Sequence, residues 1–530
     1  MRFRLTKAAK AIIVLAVSMS VIGGIFFAVK SGLVENDISG KDNNVPTSNK
    51  QEVGVSVINP SNMPSSVPTV KAEEINISLD EWIGWKSIID ANGGLTTKQG
   101  SIYDQLGLKV NINVINDAVQ SSNALIKGNL DAAGYTINRA AFLSAKFKNA
   151  GMDVIMPFVT NYSNGGDGII AKSSITKVED FVNAKIGLAQ FSEAHTLVVW
   201  FVNNSNLSDA DKNKILTENL VYFETPDEAA KAFFAGKVDA AATWEPYLTQ
   251  AKNMTDCRIF FSTASSSNLV MDGILFSKAF ADQNPEMIEK FIKGALMASD
   301  MYTTDMNTIK SVMPMFATAS DDDIKANCAS ARLTTWKDND NLLNGSAVIM
   351  YKDMCNVWKS IGEDAEISFA DTMFDDTYIQ NIAGDFDNMK VSNTNTVAVT
   401  ESNQQAVKDM EALLGGHASV KFIADTAKFL DPAAAAVELD KFIEMAKILD
   451  GAIIEIAGNT NPVGVPSDGA YMLSKQRAET VKNYFVMNGI SPDRIIVVGN
   501  GPDFPIADSN TAEGGEANRR TDVSFKVIEG

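Results

Sequence analysis

The chain has 530 residues, 45% of them hydrophobic and 21% charged, enough to bury at least two ordinary cores. Its formal net charge of -19 argues against an electrostatic nucleic-acid binder, which needs Lys and Arg to displace counterions from a polyanion. Three cysteines are too few for a disulfide framework; at most one intrachain bridge can form, and Cys328 with Cys355 is a nearer pair in sequence than either with Cys257.

At the N-terminus, Arg2, Arg4, Lys7 and Lys10 precede an uncharged run from Ala11 to Val29 that Lys30 closes. As a helix rising about 1.5 Å per residue, this run nearly spans a hydrocarbon core of roughly 30 Å, with its basic flank in the cytoplasm. No cysteine near its end marks a lipoprotein. The length favours an uncleaved membrane anchor, although Ala28 could precede a signal-peptide cut; either way the bulk is exported. Residues 1–30 are therefore read as anchor or signal, and residues 31–72, rich in Ser, Asn, Pro and Val, as a flexible linker.

Ordered structure is expected from Ile75-Asn76-Ile77-Ser78-Leu79, which alternates as a half-buried strand does. Trp82 to Gly94 reads as a loop entering a helix, Val110 to Ile115 as a strand, Asn123 to Lys127 as a helix and Asp131 to Tyr135 as a short buried strand. Val154 to Val159, Lys185 to Leu188 and Asp239 to Thr243 continue the strand series. Strands separated by helical stretches imply a layered α/β architecture with mostly parallel sheets, whose ligands sit beyond the carboxyl ends of the strands. Pro285 to about Asp385 turns mainly helical, with a boundary expected in Gly384 to Ala398. Beyond it, helices at Glu438 to Leu449 and Leu473 to Met487 alternate with strands at Gly451 to Gly458, Arg494 to Val498 and Thr521 to Val527, the pattern of a small two-layer α+β domain.

Several stretches between residues 73 and about 300 occur in the order found in one receptor family. They are Trp82-Ile83-Gly84-Trp85, Leu125 to Thr136, Asp167 to Lys172, Ala235 to Pro246 and Asn284-Pro285-Glu286. On them, the solute-binding domain, residues 73–385, resembles the periplasmic-binding proteins of nitrate, sulfonate and taurine ABC importers. The resemblance implies two lobes closing over a small molecule, with a cleft lined by Trp82, Gly84, Tyr135, Thr136, Ser192, Glu193, His195, Trp244, Glu245 and Asp272. A Trp face offers apolar area and accepts a cation, Thr136 offers a hydroxyl at a strand end, helix-start amides hold an oxygen, and Gly84 permits close backbone approach. Plainer roles compete: Trp82 or Trp85 as interlayer packing, Trp244 as a hinge residue, His195 as an ordinary helix residue, Asp272 as part of a turn. No Lys or Arg falls among these positions, whereas Glu193, Glu245 and Asp272 do, so a zwitterionic or amine-containing solute is favoured over nitrate or sulfonate.

After a second linker, residues 386–417, the segment 418–530 resembles the OmpA C-terminal family, which binds peptidoglycan. The match rests on Ala457 to Asn461, Leu473-Ser474 with Arg477-Ala478, Gly489-Ile490, Arg494-Ile495, Val498 to Gly501, Pro505 to Asp508 and Asn518-Arg519-Arg520. In the family an Asp and an Arg pair with the amino and carboxylate groups of diaminopimelate; those roles fall on Asn461 and Arg477, with Leu473, Asn518 and Arg520 completing the expected peptide-facing set. Asn461 departs from the family's Asp, and Asn459 from its His. Gly499-Asn500-Gly501 lacks the Lys-Ser or Lys-Thr of a phosphate loop.

The expectation is an α/β two-lobed receptor followed by an α+β wall domain: an exported receptor of the cell envelope that hands a small solute to an ABC permease, docks to a peptidoglycan peptide and is held at the membrane by its N-terminal segment. A membrane-to-wall bridging protein whose receptor fold no longer binds solute is the alternative; a solvent-open polar cleft separates the two. No nucleic-acid partner, cofactor, metal or catalytic residue is expected, since only His195 offers an imidazole base in the cleft.

Overall fold

The structure is a computed structural model describing residues 72–266, 268–299, 306–386, 398–400, 402–462 and 468–527. The expected anchor 1–30, the linker 31–72 apart from Ala72, and residues 387–397 of the second linker lie outside these residues. Among the described residues no helix is long and apolar enough to cross a membrane.

Alternating Ile75, Ile77 and Leu79, all buried, make β1 (Ile75–Leu79) the inner strand of the first sheet. The chain adds β2 (Val110–Val114), β3 (Ala132–Thr136), β4 (Val154–Ile155) and β5 (Val159–Ser163). Pro157, which has no N–H to donate, lies in the gap between β4 and β5 where the sequence had suggested one continuous strand. The chain then crosses to a second sheet made of β6 (Asp167–Lys172), β7 (Ile186–Ala189), β8 (Leu220–Phe223), β9 (Ala240–Trp244) and β10 (Cys257–Ser262). It returns through residues 263–270 to give the first sheet β11 (Met271–Ser277) and β12 (Ala331–Leu333).

Among the described residues the first sheet has seven strands in the order β12-β5-β11-β3-β1-β2, with β4 beside β11, and the second five in the order β10-β6-β9-β7-β8. Neither is mostly parallel, contrary to the expectation. β1, β2 and β3 run parallel, as do β7, β8 and β9, but β11 is antiparallel to β3, β4 and β5, and β6 is antiparallel to β9 and β10. β6 and β11 are the strands that the chain enters on crossing between lobes, so each enters its sheet from the opposite end; β12, antiparallel to β5, shares the direction of β11.

Three helices frame the cleft and its back. α1 (Ile137–Asn149) starts at β3, where the Thr136 hydroxyl accepts the Arg139 amide as an N-cap. α2 (Glu193–Asn203) follows β7, and α3 (Ser346–Ser360) packs on both α1 and α2, spanning the two lobes. The C-terminal sheet, β13 (Leu414–Ala418), β14 (Ile453–Asn459), β15 (Ile495–Gly501) and β16 (Thr521–Lys526), takes the order β13-β16-β14-β15 under α4 (Pro432–Ile448) and α5 (Asp468–Met487). α4 begins six residues before its sequence-based start because Asp431 caps it, accepting the Ala433 and Ala434 amides, with Pro432 at its first position. No disulfide joins Cys328 to Cys355, so the pairing suggested by sequence proximity is not made.

Candidate functional site

The ends of β1 and β3 and the starts of α1 and α2 meet between the lobes. The Thr136 hydroxyl donates to Glu193 Oε1 at 2.8 Å, and Arg139 grips the same carboxylate with two donors, Nε to Oε1 at 3.0 Å and Nη2 to Oε2 at 2.6 Å. Behind this pair Asn138 Nδ2 donates to Thr196 Oγ1 at 2.9 Å. A bidentate guanidinium–carboxylate pair across the cleft is a latch: each end belongs to a different lobe. Arg139 also corrects the sequence reading, which placed no Lys or Arg in the cleft.

Around the latch the charge is acidic. Asp80, directly after β1, accepts the Trp85 indole N–H at 2.6 Å and the Trp82 amide at 3.2 Å. Asp167 opens β6 and accepts the Ser163 hydroxyl at 2.7 Å. Asp272 is 3% exposed on β11. Burial pushes Asp272 well above the usual carboxylate range, and the negative charges of Asp80, Glu193 and Asp167 push it further. Burial likewise raises Asp80, and lifts Asp167 to about 7. Burial acts on Glu193 in the same direction, but the Arg139 charge and hydrogen bonds outweigh it and hold that carboxyl low. Asp80, Asp167 and Asp272 have no ion-pair partner among the described residues. Among the described residues no group of three or more Asp, Glu, His or Cys is placed to hold a metal ion.

The other predicted positions divide. Trp82 reaches the floor, its Nε1 donating to Asn161 Oδ1 at 2.9 Å, and Gly84 lies under that bond: a Cβ there would fall 2.2 Å from Asn161 Oδ1. Tyr135 is buried and bonded to Ser121 at 2.6 Å. Ser192 turns its hydroxyl back to the Ala189 carbonyl. His195 is enclosed by Phe191, Tyr222 and Trp358; its Nδ1 accepts the Phe191 amide and burial lowers its pKa to about 4, so it is neutral and supplies no cation. Trp244 is 39% exposed and donates to Asp227, while Glu245 caps the helix Tyr247–Lys252 by accepting the Thr249 amide and hydroxyl. Both are committed outside the acidic cluster. Sequence reasoning missed Asp80, Asp167 and Arg139 as site residues, although Asp80 directly follows a recognised strand and Arg139 lies four residues past the end of another.

In the C-terminal domain, Arg477 is nearly buried, its Nε donating to the Thr426 carbonyl at 3.0 Å and its guanidinium lying 5.0 Å from the Phe422 ring centre. Burial and the nearby Arg519 charge both lower its pKa. Asn461 donates to the Ser509 carbonyl and accepts from Asn518, whose amide also holds the Ile506 and Ala507 amides. Asn518 is thus a loop staple. Arg520 is likewise internal, paired through two nitrogens with Asp522 at 2.8 and 2.9 Å. Leu473 is partly exposed on α5. The exposed Arg519, not picked out from sequence, is the second cation beside Arg477.

Residues 93–305 match the family model described as NMT1/THI5 like, and residues 422–519 the OmpA family. Outer membrane protein A of Bordetella avium is 38% identical over 112 residues, covering 20% of this chain and 57% of that protein. Peptidoglycan-binding protein ArfA of Mycobacterium tuberculosis (strain ATCC 25618 / H37Rv) is 37% identical over 86 residues, 16% of this chain and 26% of that protein. A Bacillus subtilis (strain 168) protein named as a candidate aliphatic sulfonates-binding protein is 31% identical over 121 residues, 19% of this chain and 36% of that protein. The chain thus spans 57% or less of each of these relatives.

Proposed function

We propose, from a chain that joins a periplasmic-binding-protein-like domain of the sulfonate and nitrate type to an OmpA-like domain, that it is an exported receptor taking a small cationic or zwitterionic organic solute between its lobes. The observation that carries this reading is the imbalance of the cleft: Arg139 is gripped by Glu193 and its charge also acts on Asp80, while Asp167 and Asp272 lie buried with no ion-pair partner among the described residues. A buried anion cluster is costly until a cation enters. A protonated amine fits this chemistry. An ABC permease is the natural recipient; the space beside Asp80, Arg139 and Glu193 is only about 10 Å³, so the lobes must part to admit a solute.

Calorimetric titration of the full chain with a panel of amines and amino acids, taurine and nitrate tests the reading. An amine or zwitterion is expected to bind; tight binding of nitrate alone would overturn it. Affinity for the amine should rise with pH through about 7, the value to which Asp167 is lifted, with proton release on binding. The sign follows from linkage: a carboxyl whose folded pKa is raised supports stability below its ordinary value of 3.8, and that support is lost as pH climbs toward about 7. Asp272→Asn should weaken the amine at least tenfold, about 1.4 kcal/mol, and leave the protein less sensitive to alkaline pH.

For the C-terminal domain the proposed partner is a peptidoglycan peptide, held by Arg477 and Arg519 through its carboxylates. With Asn461 in place of an acid, that position no longer offers a charge to the ammonium of diaminopimelate. Asn461→Asp should tighten a diaminopimelate muropeptide by about 1.5–3 kcal/mol, the range for a hydrogen bond to a charged group, as read by the same calorimetry. No gain would mean that the site faces another ligand.

A further inference from the structure

The return crossing between the lobes, residues 263–270, is also the seat of the C-terminal domain. The last carbonyls of a helix have no partner within it. At the end of α4 they are met from two sides. Arg494 donates to Ala446 and Leu449 from within the domain, and the crossing segment supplies the rest: Ser266 Oγ to the Ile448 carbonyl at 2.9 Å and Asn268 Nδ2 to the Lys447 carbonyl at 2.8 Å. Just beyond α4 the Gly451 amide donates to the Ser265 carbonyl at 3.0 Å, and the backbones come so close that a Cβ on Gly451 would lie 2.9 Å from Ser265 Cα. α4 also packs on α3, the helix that spans both lobes.

Any closing or opening of the lobes turns residues 263–270, because they are one of the two backbone crossings between the sheets. Those residues cannot turn without straining or releasing the three bonds to 447–451. Beside this seat lies a pocket of about 390 Å³ lined by Lys177 and Asn206 of the receptor and by Leu414, His417 and Asp522 of the C-terminal domain.

We infer that this joint couples the two binding domains, so that the state of the cleft sets the attachment of α4 and, reciprocally, engagement of the C-terminal domain biases the cleft. The inference rests on the receptor reading for its purpose but not for its test, which needs no solute. Reciprocity is the signature of true coupling.

Hydrogen exchange on the full chain, followed by mass spectrometry, reads both ends at once. Glu193→Gln weakens the latch from within the cleft while keeping a hydrogen-bonding side chain. It should speed exchange about tenfold in the cleft segments 136–139 and 191–196, and also in 449–453, where the Gly451 amide reports the joint. The double variant Ser266→Ala/Asn268→Ala loosens the joint from outside and should speed exchange in 449–453 and in the same cleft segments. If either variant acts only at its own end, or neither changes exchange anywhere, the coupling is overturned. A chain that binds no amine but transmits both changes would remove the solute reading and leave the joint standing.

Discussion

Replacing Arg139 with methionine is expected to cost the receptor lobes about 3–5 kcal/mol of unfolding free energy, the range for breaking a buried ion pair from one side. The two partners are only 21% and 14% exposed, so water screens little of the loss. Methionine fills much of the arginine's volume and leaves Glu193 ionised against Asp80 and Asp272, whose charges already act on it or on each other. The deficit should deepen as pH rises and more of these carboxyls ionise. Adding Glu193→Gln should restore most of the stability, because the stranded charge then disappears. All six tryptophans lie between Trp82 and Trp358, so indole fluorescence during urea unfolding follows the receptor part by itself. A single variant losing less than about 1 kcal/mol, the yield of an exposed pair, would show that the latch holds nothing.

Arg494→Met should act with similar force in the C-terminal domain. The guanidinium is buried and gives Nε to the Ala452 carbonyl at 3.0 Å, Nη1 to Ala446 at 3.1 Å and Nη2 to Leu449 at 2.5 Å. Burial lowers its pKa, which measures the cost of keeping the charge inside; the three carbonyls repay that cost by accepting from it. Methionine leaves three acceptors unmet. At about 1–3 kcal/mol for each buried unsatisfied group, a loss of at least about 3 kcal/mol is expected. Lysine, with a point charge in place of a planar fork, should recover only part of it. Circular dichroism is the readout, since this domain has no tryptophan among Gln404 to Lys526. A loss confined to a few tenths would show that water takes the guanidinium's place.

The parts of the fold legible in the sequence are those where pattern alone decides. β1 shows itself by alternation, β3 and β9 by short apolar runs ending in Tyr135-Thr136 and Thr243-Trp244, and the C-terminal domain by its ordered motifs. Strands β10 and β11 were not read as strands: Cys257 to Ser262 alternates poorly, and the identity of Met271 to Ser277 as a central strand follows from its partners β3 and β5 rather than from its own residues. The direction of the sheets was misread for the same reason, because a crossing between lobes leaves no periodic mark. In the cleft, Thr136, Glu193 and Asp272 came from the family resemblance, but their meaning depends on Arg139, one helical turn past a strand end. Glu245 and Trp244 had the right chemistry and the wrong address: a local cap and an outward indole claim them. Asn518 and Arg520 were drawn in by their motif, yet burial commits both to holding their own loop and strand.

The placement of β11 between β3 and β5 has a consequence for how this molecule is made. A chain emerging from the ribosome N-terminus first exposes one edge of β3 and both edges of β5 until Met271–Ser277 follows. At about 5–20 residues per second, that interval lasts roughly 5–20 s. Open strand edges invite pairing with other chains, so the nascent receptor needs a holding factor, or passage in an extended state, until its central strand arrives.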